Sequence, residues 1–134
     1  MSETKQLKLA GFLFSGANSQ SWRVPGFTAH DSLDIDYFIE YAQLAESAGI
    51  ETLFLADGAS FPVGPREVTQ SLWSVSTFEP VTLMAALASR TSHIGLIYTA
   101  SVADNEPTHL ARQLVSLDHI SRGRVGWNIV TTSA

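Results

Sequence analysis

Four short segments carry the side chains best suited to chemistry: Phe14-Ser15-Gly16, Asp57-Gly58, Thr99-Ala100-Ser101, and Asn128 with Thr131-Thr132. Asp57 is the sharpest. A carboxylate there can accept hydrogen bonds from a ligand's hydroxyls or amides, or take a proton as a base. It can equally make an Asp-Gly turn, and on spacing alone the two readings weigh the same. Thr99 and Ser101 flank one alanine and offer two hydroxyls, suited to a planar heterocycle or a phosphate. Taken alone, they read more simply as a good strand residue and a good turn residue. Asn128 interrupts an otherwise apolar run, and a buried amide must be paired. It faces either a ligand or another polar group, and the internal amide network carries slightly more weight.

Other chemistries are excluded by what the chain lacks. There is no cysteine, so disulfides, thiolate metal sites and thiol nucleophiles are ruled out. The four histidines, His30, His93, His109 and His119, show no metal-ligand spacing, and no metal site is expected. No Gly-x-x-x-x-Gly-Lys loop, no Gly-x-Gly-x-x-Gly turn and no Gly-x-Ser-x-Gly elbow occurs. That disfavours phosphate-loop enzymes, ordinary dinucleotide-binding domains and serine hydrolases. Thirteen acids against eight bases leave a charge of −5 with no basic run, which argues against nucleic acid or anionic membrane as a partner. Met1 to Lys8 is polar, without a signal-peptide core, and no apolar run approaches the ~20 residues of a spanning helix. A cytoplasmic location is expected.

The elements that must position these residues alternate between two periodicities. Leu7 to Phe14 is apolar on both faces, as in strands of a helix-covered parallel sheet. Ile35, Phe38, Ile39, Ala42 and Ala45 form one helical stripe, with Asp34 at the N-cap and Gly49 past the C-terminus. Thr52 to Ala56 is a second strand. A long connection follows, Ala59 to Phe78, above the usual loop range. Pro80 opens a helix with Val81, Met84, Ala85 and Ala88 as its buried stripe, and Ile94 to Thr99 is a third strand. Pro107 starts a helix buried through Leu110, Leu114 and Leu117 with Ala111 and Val115. Gly123 stops it, and Arg124 to Val130 is the fourth strand. Trp22, Phe27, Phe61, Trp73 and Phe78 fall in the long strand-to-helix loops, where they can wall an apolar pocket or pack as a minor core.

The order β-α-β-α-β-α-β specifies an α/β fold with a parallel sheet and right-handed crossovers. The fourth strand is followed only by Thr131 to Ala134, so no helix covers its flank. A (β/α)₈ barrel needs eight such units and ~250 residues. Residues 1–134 therefore read as one partial domain, the N-terminal half of a TIM barrel (about four βα units), cut short after the fourth strand. Ligand sites in such folds lie at the carboxyl ends of the strands, where Asp57, Thr99, Ser101 and Asn128 fall.

A collinear set of motifs sharpens this. It runs Trp22-Arg23-x-Pro25, Phe54-Leu55-Ala56-Asp57-Gly58, Phe78-Glu79-Pro80, Ile94-Gly95-Leu96 and Thr99-Ala100-Ser101. It continues with Glu106-Pro107, Ala111-Arg112, Ser116 to Arg124, and Gly126-Trp127-Asn128-x-Val130-Thr131. The set resembles the bacterial-luciferase-like flavin monooxygenases, in the branch of nitrilotriacetate and dibenzothiophene-sulfone monooxygenases. The resemblance spans about Leu7 to Thr132 and corresponds to the first third of such an enzyme. It implies FMN bound at the strand ends, used as FMNH₂ delivered by a separate NAD(P)H-dependent flavin reductase. O₂ then adds as a C4a-peroxyflavin, and a small organic substrate is oxidised. Asp57 and Thr99 match FMN-contacting positions of the family, with Ser101 and Asn128 as near neighbours. The flavin phosphate site is expected in later strands, so residues 1–134 alone should be poorly active. The competing reading is a non-catalytic remnant or flavin-binding half-barrel whose edge pairs with another chain or, as a homo-oligomer, with itself.

Overall fold

The computed structural model describes residues 7–13, 33–57 and 78–131. Within them lie β1 Ala10–Phe12, α1 Ile35–Ser47, β2 Thr52–Leu55, α2 Pro80–Ala88, β3 Gly95–Ser101, α3 Pro107–Ser121 and β4 Val125–Val130. All three strand pairs are parallel, in the spatial order β1-β2-β3-β4. Each new strand adds on the same side of the last. A doubly wound sheet reverses direction at a switch point; a barrel does not. The chain forms the first four strands of a barrel.

Each helix start has a carboxylate. Asp34 accepts the N–H groups of Asp36 at 3.1 Å and Tyr37 at 3.3 Å, as its position predicts. α2 and α3 share a different device, a glutamate before a proline at the first helical position. Glu79 accepts from Val81 at 3.0 Å and Thr82 at 2.8 Å, and Glu106 accepts from His109 at 2.7 Å. The backbone N–H groups of His109 and Thr108 hold the Glu106 carboxyl below its ordinary range. Gly49 and Gly123 take φ of +79° and +83° just past α1 and α3, the left-handed turn that glycine makes without a Cβ penalty.

The register sorts the strand side chains into two faces. Leu13, Leu53, Leu96 and Tyr98 join the core with Phe38 and Ala42 of α1, Leu83, Met84 and Leu87 of α2, and Leu117 of α3. The opposite face carries Phe12, Phe54, Ile97 and Gly126 in one row. Phe12 and Phe54 meet edge to face at 5.0 Å, yet Phe12 remains 40% exposed. A Cβ on Gly126 would lie 2.7 Å from Ile97 Cγ1, so only glycine lets Ile97 occupy that space.

Three expectations shift. The first strand is shorter than Leu7 to Phe14 and not buried on both faces: Leu7 and Leu9 are 83% and 50% exposed. Only one face is covered: Leu13 is buried in the helix-side core, whereas Phe12 on the other face is half-open. In α2 the deepest residues include Leu83 and Leu87, with Val81 and Ala85 only partly buried. In α3, Leu110 and Leu117 are buried as expected, but Ala111 and Val115 face outward.

The amino ends of the strands are tied by two charged side chains. Arg124 donates to the carbonyls of Ser121 at 2.7 Å, Ile94 at 2.8 Å, Ala88 at 2.9 Å and Thr91 at 3.1 Å, and to the Thr91 hydroxyl at 3.0 Å. Glu46 accepts the N–H groups of Ser92 and Ile94, each at 2.9 Å, and that of His93. Desolvation works against its charge, but these N–H bonds and His93 hold the carboxyl below its ordinary 4.5.

Candidate functional site

At the carboxyl ends of the strands a cleft of about 210 Å³ opens between β3 and the helix starts. Asp57 borders it just after β2, and Glu79 from the start of α2. Tyr98, Thr99 and Ser101 come from β3, Asp104 and Asn105 from the turn that follows, and Gln113 from α3. Three of the four sequence-predicted residues, Asp57, Thr99 and Ser101, thus share one cleft. Asn128 joins them indirectly. It is the direct register partner of Thr99, and its Nδ2 donates to Thr99 Oγ1 at 3.0 Å.

The polar groups differ in how they are occupied. Ser101 shapes its own turn: its Oγ accepts the Ala103 N–H at 3.1 Å, and its carbonyl accepts Asn105 Nδ2 at 2.8 Å. Thr99 is 6% exposed, and its hydroxyl accepts from Asn128. The Tyr98 hydroxyl is fully buried without a hydrogen-bond partner among the described residues. Burial, then the Glu79 carboxylate, push its pKa up to about 12, so it stays protonated at neutral pH. An unmet buried hydroxyl costs roughly 1–3 kcal/mol.

Glu79, Tyr98, Asp104 and Asn105 were not singled out as site residues from sequence. Glu79 could have been found from its place before Pro80 at a strand-to-helix loop. Tyr98 could not, because a strand tyrosine reads as core. Phe78 packs edge to face on Phe38 at 5.9 Å, which is the minor-core role rather than a pocket wall. Thr131 is exposed, as are His93, His109 and His119. Among the described residues no group of three His, Asp or Glu could hold a metal. Phe14-Ser15-Gly16, Trp22, Arg23, Pro25, Phe27, His30, Gly58, Phe61, Trp73 and Thr132 lie outside the described residues.

Chemically, the cleft suits part of a flat, hydrogen-bonding ligand. Pockets for whole cofactor-sized ligands run to about 300–1,000 Å³, so these residues make one wall of such a site. Among the described residues, Asp57, Glu79 and Asp104 bring three carboxylates to the cleft and no lysine or arginine lines it, so this wall repels a phosphate dianion and favours a ligand's neutral, hydrogen-bonding end.

Residues 15–134 match the luciferase-like monooxygenase family. The chain is 48% identical to N-acetyl-S-(2-succino)cysteine monooxygenase of Bacillus subtilis (strain 168), over 98% of this chain and 29% of the relative. It is 40% identical to component A of nitrilotriacetate monooxygenase of Aminobacter aminovorans, over 99% of this chain and 31% of the relative. A riboflavin lyase solved with modified FMN and riboflavin superposes with a TM-score of 0.81 at 34% identity, over 96% of this chain and 30% of that structure. The chain spans about 30% of the length of the curated relatives it matches.

Proposed function

The chain belongs to the luciferase-like monooxygenase family, and from that premise we propose that it is the N-terminal portion of a cytoplasmic, two-component, FMNH₂-using monooxygenase. It would oxidise a small organic substrate with O₂, and take its reduced flavin from a separate NAD(P)H-dependent reductase. When bound, the reduced flavin supplies the electrons that activate O₂. The protein binds and orients the ring and keeps water from it.

The observation that carries this reading is the buried Thr99 hydroxyl, bonded by Asn128 at the carboxyl end of a barrel strand, on the face opposite the helix-packed core. It fits the acceptor-rich edge of a flavin ring. Asp57, which is exposed, is assigned to the ligand's N–H or O–H donors, and Ser101 and Asn128 to support of the same edge. The flavin phosphate belongs to another part of the barrel, away from the three carboxylates. A second reading, a non-catalytic flavin-binding or assembly half-barrel, draws on the half-open apolar row of Phe12, Phe54 and Ile97.

The test is an anaerobic titration of the full-length protein with FMNH₂, followed by fluorescence or absorbance. Saturable binding that weakens about tenfold in Asp57→Ala is expected, the loss of one charged hydrogen-bond partner. A folded protein that takes up neither FMN nor FMNH₂ overturns the reading.

A further inference from the structure

We propose that Asn128 is a positioning residue: its side-chain amide fixes the polarity of Thr99, so that the threonine hydroxyl meets the ligand as a donor. The proposal rests on the flavin reading above and narrows it, because it takes Asn128 out of direct contact with the cofactor and specifies which flavin atoms Thr99 can meet.

A threonine hydroxyl has one proton and two lone pairs. Asn128 Nδ2 donates into a lone pair of Thr99 Oγ1 at 3.0 Å, which forbids the hydroxyl from pointing its own proton at that nitrogen. Among the described residues no other hydrogen bond engages the hydroxyl, and Thr99 is 6% exposed. Its proton is therefore buried, oriented and unspent. The two residues are register partners on adjacent parallel strands, so both side chains rise from the same face. Trp127 Nε1 also donates to the Ala100 carbonyl at 3.0 Å, a second tie between β3 and β4 beside this pair. A donor so held selects an acceptor: a ring carbonyl or an unprotonated ring nitrogen of FMN, not a ring N–H.

Asn128→Asp reverses this polarity at nearly constant shape. A carboxylate at that position accepts the Thr99 proton and leaves only lone pairs for the ligand. Asn128→Ala merely frees the hydroxyl. The experiment is FMN binding by fluorescence titration at pH 8 to the full-length protein and to Asn128→Asp, Asn128→Ala, Thr99→Val, Thr99→Ser and the Asn128→Asp/Thr99→Val double variant. Circular dichroism checks the fold of each. The expected result is a loss of about tenfold or more for Asn128→Asp, about two- to threefold for Asn128→Ala, and near-native affinity for Thr99→Ser, which keeps the donor. In the Thr99→Val background Asn128→Asp should add nothing.

If Asn128→Asp and Asn128→Ala weaken binding equally, or the aspartate penalty persists without the Thr99 hydroxyl, Asn128 acts on its own and the proposal is wrong. Should Asn128→Asp not fold, Thr99→Ser against Thr99→Val decides: equal losses show that the donor does not matter. Native affinity in Thr99→Val removes Thr99 from the flavin site while leaving a flavin protein. Absence of FMN binding by the folded parent removes the flavin reading itself.

Discussion

Thr99 and Arg124 sit toward opposite ends of the same sheet and use hydrogen bonds to opposite purposes. Arg124 is fully committed, with its donors spread over the ends of α2 and α3 and the turn before β3. Arg124→Met should cost about 2–4 kcal/mol in urea unfolding, because carbonyls of Ala88, Thr91 and Ile94 lose a shared charged donor. A loss under 0.5 kcal/mol would mean that water replaces it freely. Glu46 does the acid counterpart of this work. Its folded pKa is depressed, so its contribution is present above its unfolded value and disappears as pH falls through the folded one. Stability should therefore decline on acidification below about pH 4.5, and Glu46→Gln should flatten that decline in pH-dependent melts. An unchanged acid flank contradicts the assignment. Sequence could say that Asn128 needed a partner; it could not say that the partner was Thr99, because the pairing depends on the register of strands 29 positions apart. Glu79-Pro80, with proline at the first helical position, marked where that helix opens, but not that the Glu79 and Glu106 carboxylates cap their helices, since glutamate is not a usual N-cap.

The elements were legible where one face of a pattern dominates. α1 carries a dominant apolar stripe between Asp34 and Gly49, of which the structure buries Phe38, Ala42 and Ala45, while Leu44 lies off it and is exposed. α2 is apolar almost all round, so its period does not choose a face, and the sheet beneath it turned Leu83 and Leu87 inward instead of Val81 and Ala85. Val115 of α3 lies outside the buried stripe for the same kind of reason: an apolar residue need not be a core residue. Gly126 shows what periodicity cannot register at all, namely a strand position that must be empty. Gly126→Ala should destabilise by about 1–3 kcal/mol, because its methyl overlaps Ile97. Little further cost of Gly126→Ala in an Ile97→Ala background, which removes the Cγ1 and Cδ1 atoms, would identify that overlap as the cause, whereas an unaffected single variant would show that Ile97 simply turns aside.

At the scale of the molecule, the alternation of periods predicts parallel α/β, and the sequential strand order is what makes it a barrel wall. The residues at its carboxyl ends were legible as candidates because strand ends can be found from apolar runs. The substrate was not, since the Ala59 to Phe78 connection has no pattern that names a ligand and most of it lies outside the described residues. The row of Phe12, Phe54 and Ile97, with β1 and β4 at the edges of the described sheet, needs further structure against it. A polypeptide ending at Ala134 should therefore self-associate on gel filtration and show no oxygenase turnover; a well-behaved monomer would argue that the row is closed in another way. The central claim is that flavin binds at the carboxyl ends of these strands. It is tested most directly by anaerobic FMNH₂ titration of the full-length protein carrying one change at each end, Thr99→Val above and Glu46→Gln below. The account predicts saturable binding that weakens about three- to tenfold in Thr99→Val and stays native in Glu46→Gln. Native affinity in Thr99→Val, or a loss confined to Glu46→Gln, would contradict it.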